Sequence, residues 1–442
     1  MTVPANPNLQ GKLNSLLGNR LFGSGMISLA IKVAGAGLSY LMFVVFARLL
    51  SADDFGTFAF SFNLAIVLSA FSGFGYSTAI MRYWPKYLAM GKPDYAKGAI
   101  KMGALLTFIG VGIILFAGLL ADQFSSRNFL SVATLAATFC IGDFAAGILR
   151  AQNSVVGSML PRDVLWRIFA PLVAFGIIWF GYGLTSSSAV YVCAFVLLAL
   201  LLGQIFLITN SVGRLAGARP AVADWAGTRA SLIPLRGAGI VFAMIQQMDV
   251  VVVGYLMNGA ETGAYFAAQK TATLLSLVLI AGGLVTAPTM ASLYEKRDHT
   301  ELQRLCKQLV VAIAVVTLLG FVFLVFTGNI LLSFFNHSFT SAYSILLILA
   351  FGCMIDAISG PTAYLMQMTS YEKAYLKIMV VCYLLVIALQ FALIPRLGGL
   401  GAALASGGGT IVWNLWSIWH LRTKAKIDPS IIGLVWPVQV KS

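Results

Sequence analysis

Twelve stretches of about 20 or more predominantly apolar residues follow one another along this chain, and a helix of that length spans a bilayer. They run over 22–46, 55–83, 99–121, 129–150, 164–183, 189–209, 231–257, 262–290, 308–332, 341–368, 374–395 and 399–421. In hydrocarbon every backbone N–H and C=O must be satisfied within the segment, which a helix does by itself. With 10% of residues charged and 59% apolar, against about 25% charged in soluble proteins, too few polar groups remain to cover a water-facing surface. The sequence predicts an all-α integral membrane protein.

An even number of spans puts both termini on one side, and charge says which. Twenty-four of the 29 Lys and Arg residues fall at connections of one set, among them Arg82, Lys97, Arg162, Arg167, Lys296 and Lys424. The other set holds only Arg48, Arg127 and Arg396, and Lys32 and Lys270 lie within spans. Such an asymmetry predicts N-in, C-in topology in a cytoplasmic membrane. It also accounts for the +14 net charge. A nucleic-acid partner is disfavoured, because the basic residues are spread over every cytoplasmic loop, against anionic lipid heads.

The chain divides as 1–21, a cytoplasmic segment whose Leu9, Leu13, Leu16 and Leu17 suggest a short interfacial helix; 22–209, six spans; 210–230, a polar linker; 231–421, six more spans; and 422–442, a cytoplasmic tail. The two halves repeat. SYLMFVVFARLL-SADDFGTFAF, from Ser39, returns about 207 residues later as Val250–Met257 running into NGAETGAYFA. Asp54 falls on Glu261, Gly56 on Gly263 and Phe58 on Tyr265. A repeated hairpin of apolar helices predicts two homologous six-helix bundles around a central cavity.

Ionisable groups within spans are candidates for function. Lys32 lies about 15 Å inside the first helix; it lines a cavity or snorkels to the interface. Asp143 and Arg150 share a side of the fourth helix, about 10 Å apart. They line one cavity, or Asp143 is a protonated helix–helix hydrogen bond. The seventh helix carries Arg236, Gln246, Gln247 and Asp249, with Gln246 a neighbouring oxygen for Asp249. Lys270 in the eighth falls on Asn63 of the second. Asp356 precedes Pro361, which opens the backbone ladder near Ala357; that is an ion site or a plain kink. Arg48 stands at a helix end. The triple glycine Gly407–Gly409 is a packing face or a bending point.

Five cysteines and three isolated histidines show no metal-ligand spacing, so no metal or cofactor is expected. The loops opposite the basic side are too short to hold a substrate domain, which disfavours a membrane glycosyl polymerase or ligase. No enzyme is expected.

The passage FARLLSADDFGTFAFSFNL, with Arg48, Leu49 and Phe55-Gly56, and its echo GYLMNGAETGAYFAAQKTA resemble the polysaccharide exporters of the multidrug/oligosaccharidyl-lipid/polysaccharide exporter superfamily, the O-antigen and capsule repeat-unit flippases. The six-plus-six plan extends the likeness over the whole chain. The resemblance implies alternating access, with a lipid-linked oligosaccharide on undecaprenyl diphosphate carried across the bacterial inner membrane for lipopolysaccharide or exopolysaccharide. It further implies membrane-lipid contacts, polysaccharide polymerase partners, and proton or sodium coupling. Substrate-binding candidates are Lys32, Lys270, Arg48, Arg150, Arg236, Gln246 and Gln247, and ion-coupling candidates are Asp143, Asp249 and Asp356. Peptidoglycan-precursor flippases usually have two further helices; the twelve spans expected here disfavour that branch. The competing expectation is a cation-coupled multidrug exporter of the same fold.

Overall fold

The structure, a computed structural model, describes residues 7–124, 128–213 and 225–435. Among them it is helical with no strand. Twelve passes are made from the helices α1 (Pro7–Leu49), α2 (Ala52–Ser72), α3 (Tyr76–Ala89), α4 (Pro93–Phe124), α5 (Phe129–Ala151), α6 (Val155–Leu160), α7 (Trp166–Trp179), α8 (Ser186–Gly213), α9 (Trp225–Leu256), α10 (Gly259–Thr273), α11 (Ser276–Glu295), α12 (His299–Phe335), α13 (Tyr343–Ile358), α14 (Thr362–Met368), α15 (Glu372–Leu397) and α16 (Gly399–His420). Passes 2, 5, 8 and 10 are each built of two helices in series. Ten segments meet length and hydropathy requirements for a span. The two passes without such a segment are pass 5, where α7 is cut to 14 residues, and pass 12, α16, rich in glycine and polar residues.

Each break has a local cause. Pass 2 breaks at Gly73–Gly75, where Phe74 and Gly75 take φ of 48° and 70°. Pass 8 breaks where Leu274 and Leu275 bond to Thr271 and Ala272, tightening the turn to i→i−3. Pass 10 breaks at Gly360, left-handed at φ 73°, and Pro361, which has no N–H to give. In pass 5, Pro161 likewise leaves the Gly157 carbonyl without a donor. Gln204 Nε2 of α8 supplies one at 2.9 Å, and the chain runs as a π-helical turn over Pro161–Leu165.

The expected first interfacial helix is instead continuous with the first span in α1, and the expected fifth span begins at Val155, not residue 164. Arg162 and Arg167 therefore lie inside a pass and not in a loop. The triple glycine does not interrupt α16; a side chain on Gly407 would press on Ile348 and one on Gly409 on Val386. Of the expected linker, residues 214–224 lie outside the described residues, as does Arg127.

The repeat is visible in the caps. Ser51 Oγ accepts from the Asp54 N–H at 3.1 Å, and Asn258 Oδ1 from the Glu261 N–H at 2.8 Å. These are equivalent helix N-caps, which is why an acid recurs at 54 and 261. The hairpins meet face to face. A Cβ on Gly56 would overlap the Gly259 carbonyl, and one on Gly263 would lie 3.2 Å from the Ala52 oxygen. Equivalent glycines thus pack across the axis relating the bundles.

Alternate connections gather at this hairpin end. Asp54 Oδ1 accepts from Ser186 N at 3.1 Å, and Arg48 donates to the Ser333 and Phe334 carbonyls, each at 2.6 Å. One aromatic core joins both bundles here: the Phe266 ring is 4.8 Å from Phe43 and 5.9 Å from Phe55, and Phe55 is 5.8 Å from Phe339. At the opposite end the cores are separate. One holds Tyr76, Trp84 and Phe144 of the N-terminal bundle; the other holds Met290, Leu302 and Leu421 of the C-terminal bundle. Bundles sharing a core at one end only enclose a wedge that widens toward the other.

Candidate functional site

Two cavities line the wedge. The one in the C-terminal bundle, about 290 Å³, is walled by α9, α10, α13, α15 and α16. It brings together Gln246, Gln247, Asp249 and Lys270. Asp249 accepts from Gln390 Nε2 at 3.0 Å, and the same nitrogen lies 3.0 Å from Ser406 Oγ. Ser406, Thr410 and Asn414 stand one turn apart on one face of α16. Asn414 Nδ2 donates to Asp356 Oδ1 at 2.9 Å. Both carboxylates are thus tied to one polar stripe. The amide oxygens of Gln390 and Asn414 and the Tyr383 hydroxyl have no partner among the described residues. Buried oxygens left unpaired beside carboxylates can accept a cation or a ligand's protons.

Lys270 Nζ lies 5.0 Å from the Phe266 ring centre and 5.7 Å from that of Phe43. The charge therefore stands where α1 of one bundle meets α10 of the other, held by aromatic faces. Among the described residues it joins none of the ion pairs. Arg167 of α7 is tied to α1 as well. Its Nη1 donates to the Gly35 carbonyl at 3.1 Å and to that of Asp163.

The second cavity, about 280 Å³, lies between α2, α3, α5, the π-helical turn and α9. Gln246 and Gln247 belong to both cavities. Here Arg162 Nη2 meets Asp143 Oδ1 at 2.5 Å, the side chains 39% and 34% exposed. The extra residue of a π turn re-aims the side chains it carries, and Arg162 is carried on such a turn.

The sequence profile of the family described as Polysaccharide biosynthesis protein matches residues 22–294. The chain belongs to that family. The MatE profile matches residues 234–392. An uncharacterized membrane protein of Methanocaldococcus jannaschii is 24% identical over 419 residues, covering 88% of this chain and 81% of its own. Among solved structures, the inward-facing conformation of a multidrug resistance MATE family transporter of the MOP superfamily superposes with TM-score 0.71 at 14% identity, over 91% of this chain and 99% of that one. An outward-facing conformation gives 0.62 at 15%, over 91% and 96%. A MOP superfamily transporter from Pyrococcus furiosus, described by the reverse polarity of its binding pocket, gives 0.63 at 15%, over 90% and 94%. This family member is a multi-pass membrane transporter of the MOP superfamily, with the two-bundle fold expected of it.

Other residues of this transporter sit apart from the cavities. Lys32 is exposed on α1 and lines neither of them. Arg48 is spent on the last carbonyls of α12, where a cation suits the helix dipole. Arg150 is exposed and its Nε turns back to the Ala146 carbonyl at 3.2 Å, so Arg162, not Arg150, is the arginine beside Asp143. The Arg236 side chain lies outside the described residues. Gln246 lines the same cavity as Asp249, but the hydrogen bond to Asp249 comes from Gln390 Nε2. Asn63, the counterpart of Lys270, is buried with its amide on the Ala59 carbonyl at 2.7 Å. The sequence assigns Arg162 and Arg167 to a connection and not to a cavity wall. Their only signal was Leu160-Pro161-Arg162, a proline whose lost donor was available to be read as a bulge.

Proposed function

We propose that this transporter carries a lipid-linked oligosaccharide, a glycan on undecaprenyl diphosphate, across the bacterial cytoplasmic membrane by alternating access, with both termini cytoplasmic. The observation that carries the reading is Lys270, a half-buried cation in the cavity wall at the junction of the bundles, with no carboxylate paired to it among the described residues. A buried ammonium without a counter-anion is costly. A diphosphate relieves that cost, and Lys suits it as a point charge. Arg162 is offset by its Asp143 partner, and Arg167 adds a positive charge against α1, the helix whose Phe43 ring faces Lys270. The prenyl tail stays in lipid while the polar head crosses about 30 Å of hydrocarbon through the wedge. Asp249 and Asp356, in the same bundle, are the proposed proton or sodium carriers, each binding the ion in one state and releasing it in the other.

The second reading, a cation-coupled multidrug exporter, is favoured by one feature: Asp249 lines the same cavity as Tyr383 and Trp413, a carboxylate and aromatic rings that suit an organic cation. Complementation of a flippase-deletion strain separates the two. Lys270→Ala should cut surface polysaccharide at least about tenfold, the loss of roughly one 1.4 kcal/mol interaction or more, with unchanged membrane abundance. Lys270→Arg should keep more activity than Lys270→Ala. Wild-type polysaccharide in Lys270→Ala, or drug efflux by the wild-type protein with no effect on polysaccharide, overturns the oligosaccharide reading.

A further inference from the structure

The chain does not leave the C-terminal bundle at the end of α16. Leu421–Ala425 continues as a π-helical turn, and Lys426 reverses it at φ 58°. The next residues run back into the bundle, with Ile427 and Asp428 at 0% and Ser430 at 1% exposure. The segment that the sequence suggests is a cytoplasmic tail is, up to Ile431, packed into the bundle.

It meets three passes. On pass 9, Gln303 clamps the main chain of Asp428, accepting from its N–H at 2.8 Å and donating to its carbonyl at 2.5 Å. At the end of pass 12, Arg422 Nε lies 3.2 Å from Asp428 Oδ2. The other carboxylate oxygen accepts from Ser430 N at 2.9 Å and Ser430 Oγ at 2.6 Å. On pass 10, the Ile431 N–H donates to the Ile358 carbonyl at 3.0 Å. In a continuous helix that carbonyl would take the N–H of Thr362, which here bonds to Gly360 at 2.8 Å. The segment thus supplies a donor that the break removed. The Pro429 carbonyl fills the place that a Cβ on Gly360 would need.

We infer that Ile427–Ile431 is a latch. Docked, it holds pass 10 broken and ties passes 9, 10 and 12 into one body; for the bundle to change state it must leave the break. The broken pass carries Asp356, whose partner Asn414 sits on α16, the helix that ends in the latch. A rearrangement at Asp356 is therefore transmitted to the latch along α16, and release of the latch frees the break. Docking is all-or-none in character, since withdrawal of Arg422 would strand a buried carboxylate. The inference rests on the alternating-access reading, but not on the identity of the substrate.

The test uses the full-length protein in nanodiscs and needs no substrate. Backbones joined by a hydrogen bond are within reach of a disulfide, which needs about 4.4–6.8 Å between Cα atoms. Ile358→Cys with Ile431→Cys, oxidised, ties the latch down; reduction frees it. Hydrogen exchange at 49–54 and 257–261, the hairpin end, reports separation of the bundles. Exchange there should slow at least about tenfold on oxidation, one step of 1.4 kcal/mol, and recover with reductant. Asp428→Ala should instead speed exchange there and over 358–369. Equal rates in the oxidised and reduced protein, or in Asp428→Ala and wild type, overturn the latch. Normal exchange shifts with no oligosaccharide export by the wild-type protein would count against the substrate assignment and leave the latch standing.

Discussion

Arg162 and Asp143 show how a single pair sets the polarity of a cavity wall. Each is about a third exposed, so water screens the pair and its worth is about 1 kcal/mol, near the upper end for exposed pairs. What matters more is the charge left when one partner goes. Arg162→Ala leaves an anion facing the space proposed for an anionic head. Asp143→Asn leaves a free guanidinium there. The two variants should therefore differ in sign. Arg162→Ala should depress export at least about tenfold, whereas Asp143→Asn should bind the diphosphate lipid more tightly and turn over more slowly, a split expected when ground-state binding alone improves. Lipid binding by native mass spectrometry alongside export checks both. Equal losses of binding in the two variants would make the pair a packing feature only. Arg48 shows the converse: a residue prominent in the sequence resemblance does its work on helix α12 and not in a cavity.

At the scale of elements, the passes themselves were legible, because an apolar run long enough to span is a local property. The hairpin repeat was legible too, since its caps and glycines recur at fixed spacing. The breaks were less so. Pro361 announced one, but Gly73–Gly75 and the tightened turn at Leu274 lie in runs that remain apolar throughout. The partners of Asp249 and Asp356 were out of reach, because Gln390, Ser406 and Asn414 are far away in sequence and only packing brings them together. The insertion of Ile427–Ile431 was hidden for the same reason. Where sequence and structure meet most closely is the glycine contact. Gly56 has no room for a methyl group against the Gly259 carbonyl, and backbone cannot yield as a flexible side chain can. Gly56→Ala should force the hairpins apart, costing about 1–3 kcal/mol as overpacking does. The melting temperature in detergent should fall, and a maleimide should label cysteines at 51 and 258 faster than in the parent. Unchanged melting and labelling would mean that this end does not close as described.

At the scale of the molecule, the shared aromatic core and the two separate ones define a closed end and an open end. Which side of the membrane each faces follows, in the present proposal, from charge. Lys and Arg crowd the connections at the open end, and the positive-inside rule puts these in the cytoplasm. The conformation is then inward-open, ready to take a lipid-linked substrate where such lipids are assembled. Two measurements bear on this. Asp53 and Glu261 are exposed at the closed end and Lys296 at the open end. Cysteines at 53 and 261 should react with an impermeant reagent from outside the cell, and one at 296 only after permeabilisation. The second measurement asks whether the closed end must open. The Asp53 backbone and carboxylate lie against Gly259, and Asp53 and the nearby Glu261 are both exposed, so a short, reducible bis-maleimide between Asp53→Cys and Glu261→Cys can join the bundles across the axis without crowding the glycine. Rocking of one bundle against the other requires that contact to part. The cross-linked pair should therefore stop export altogether while substrate binding from the cytoplasmic side persists, and reductant, which cleaves the linker, should restore export within the same sample. Export that continues through the bridge would exclude rocking about this end, and external labelling of position 296 would reverse the orientation from which the whole transport direction is drawn.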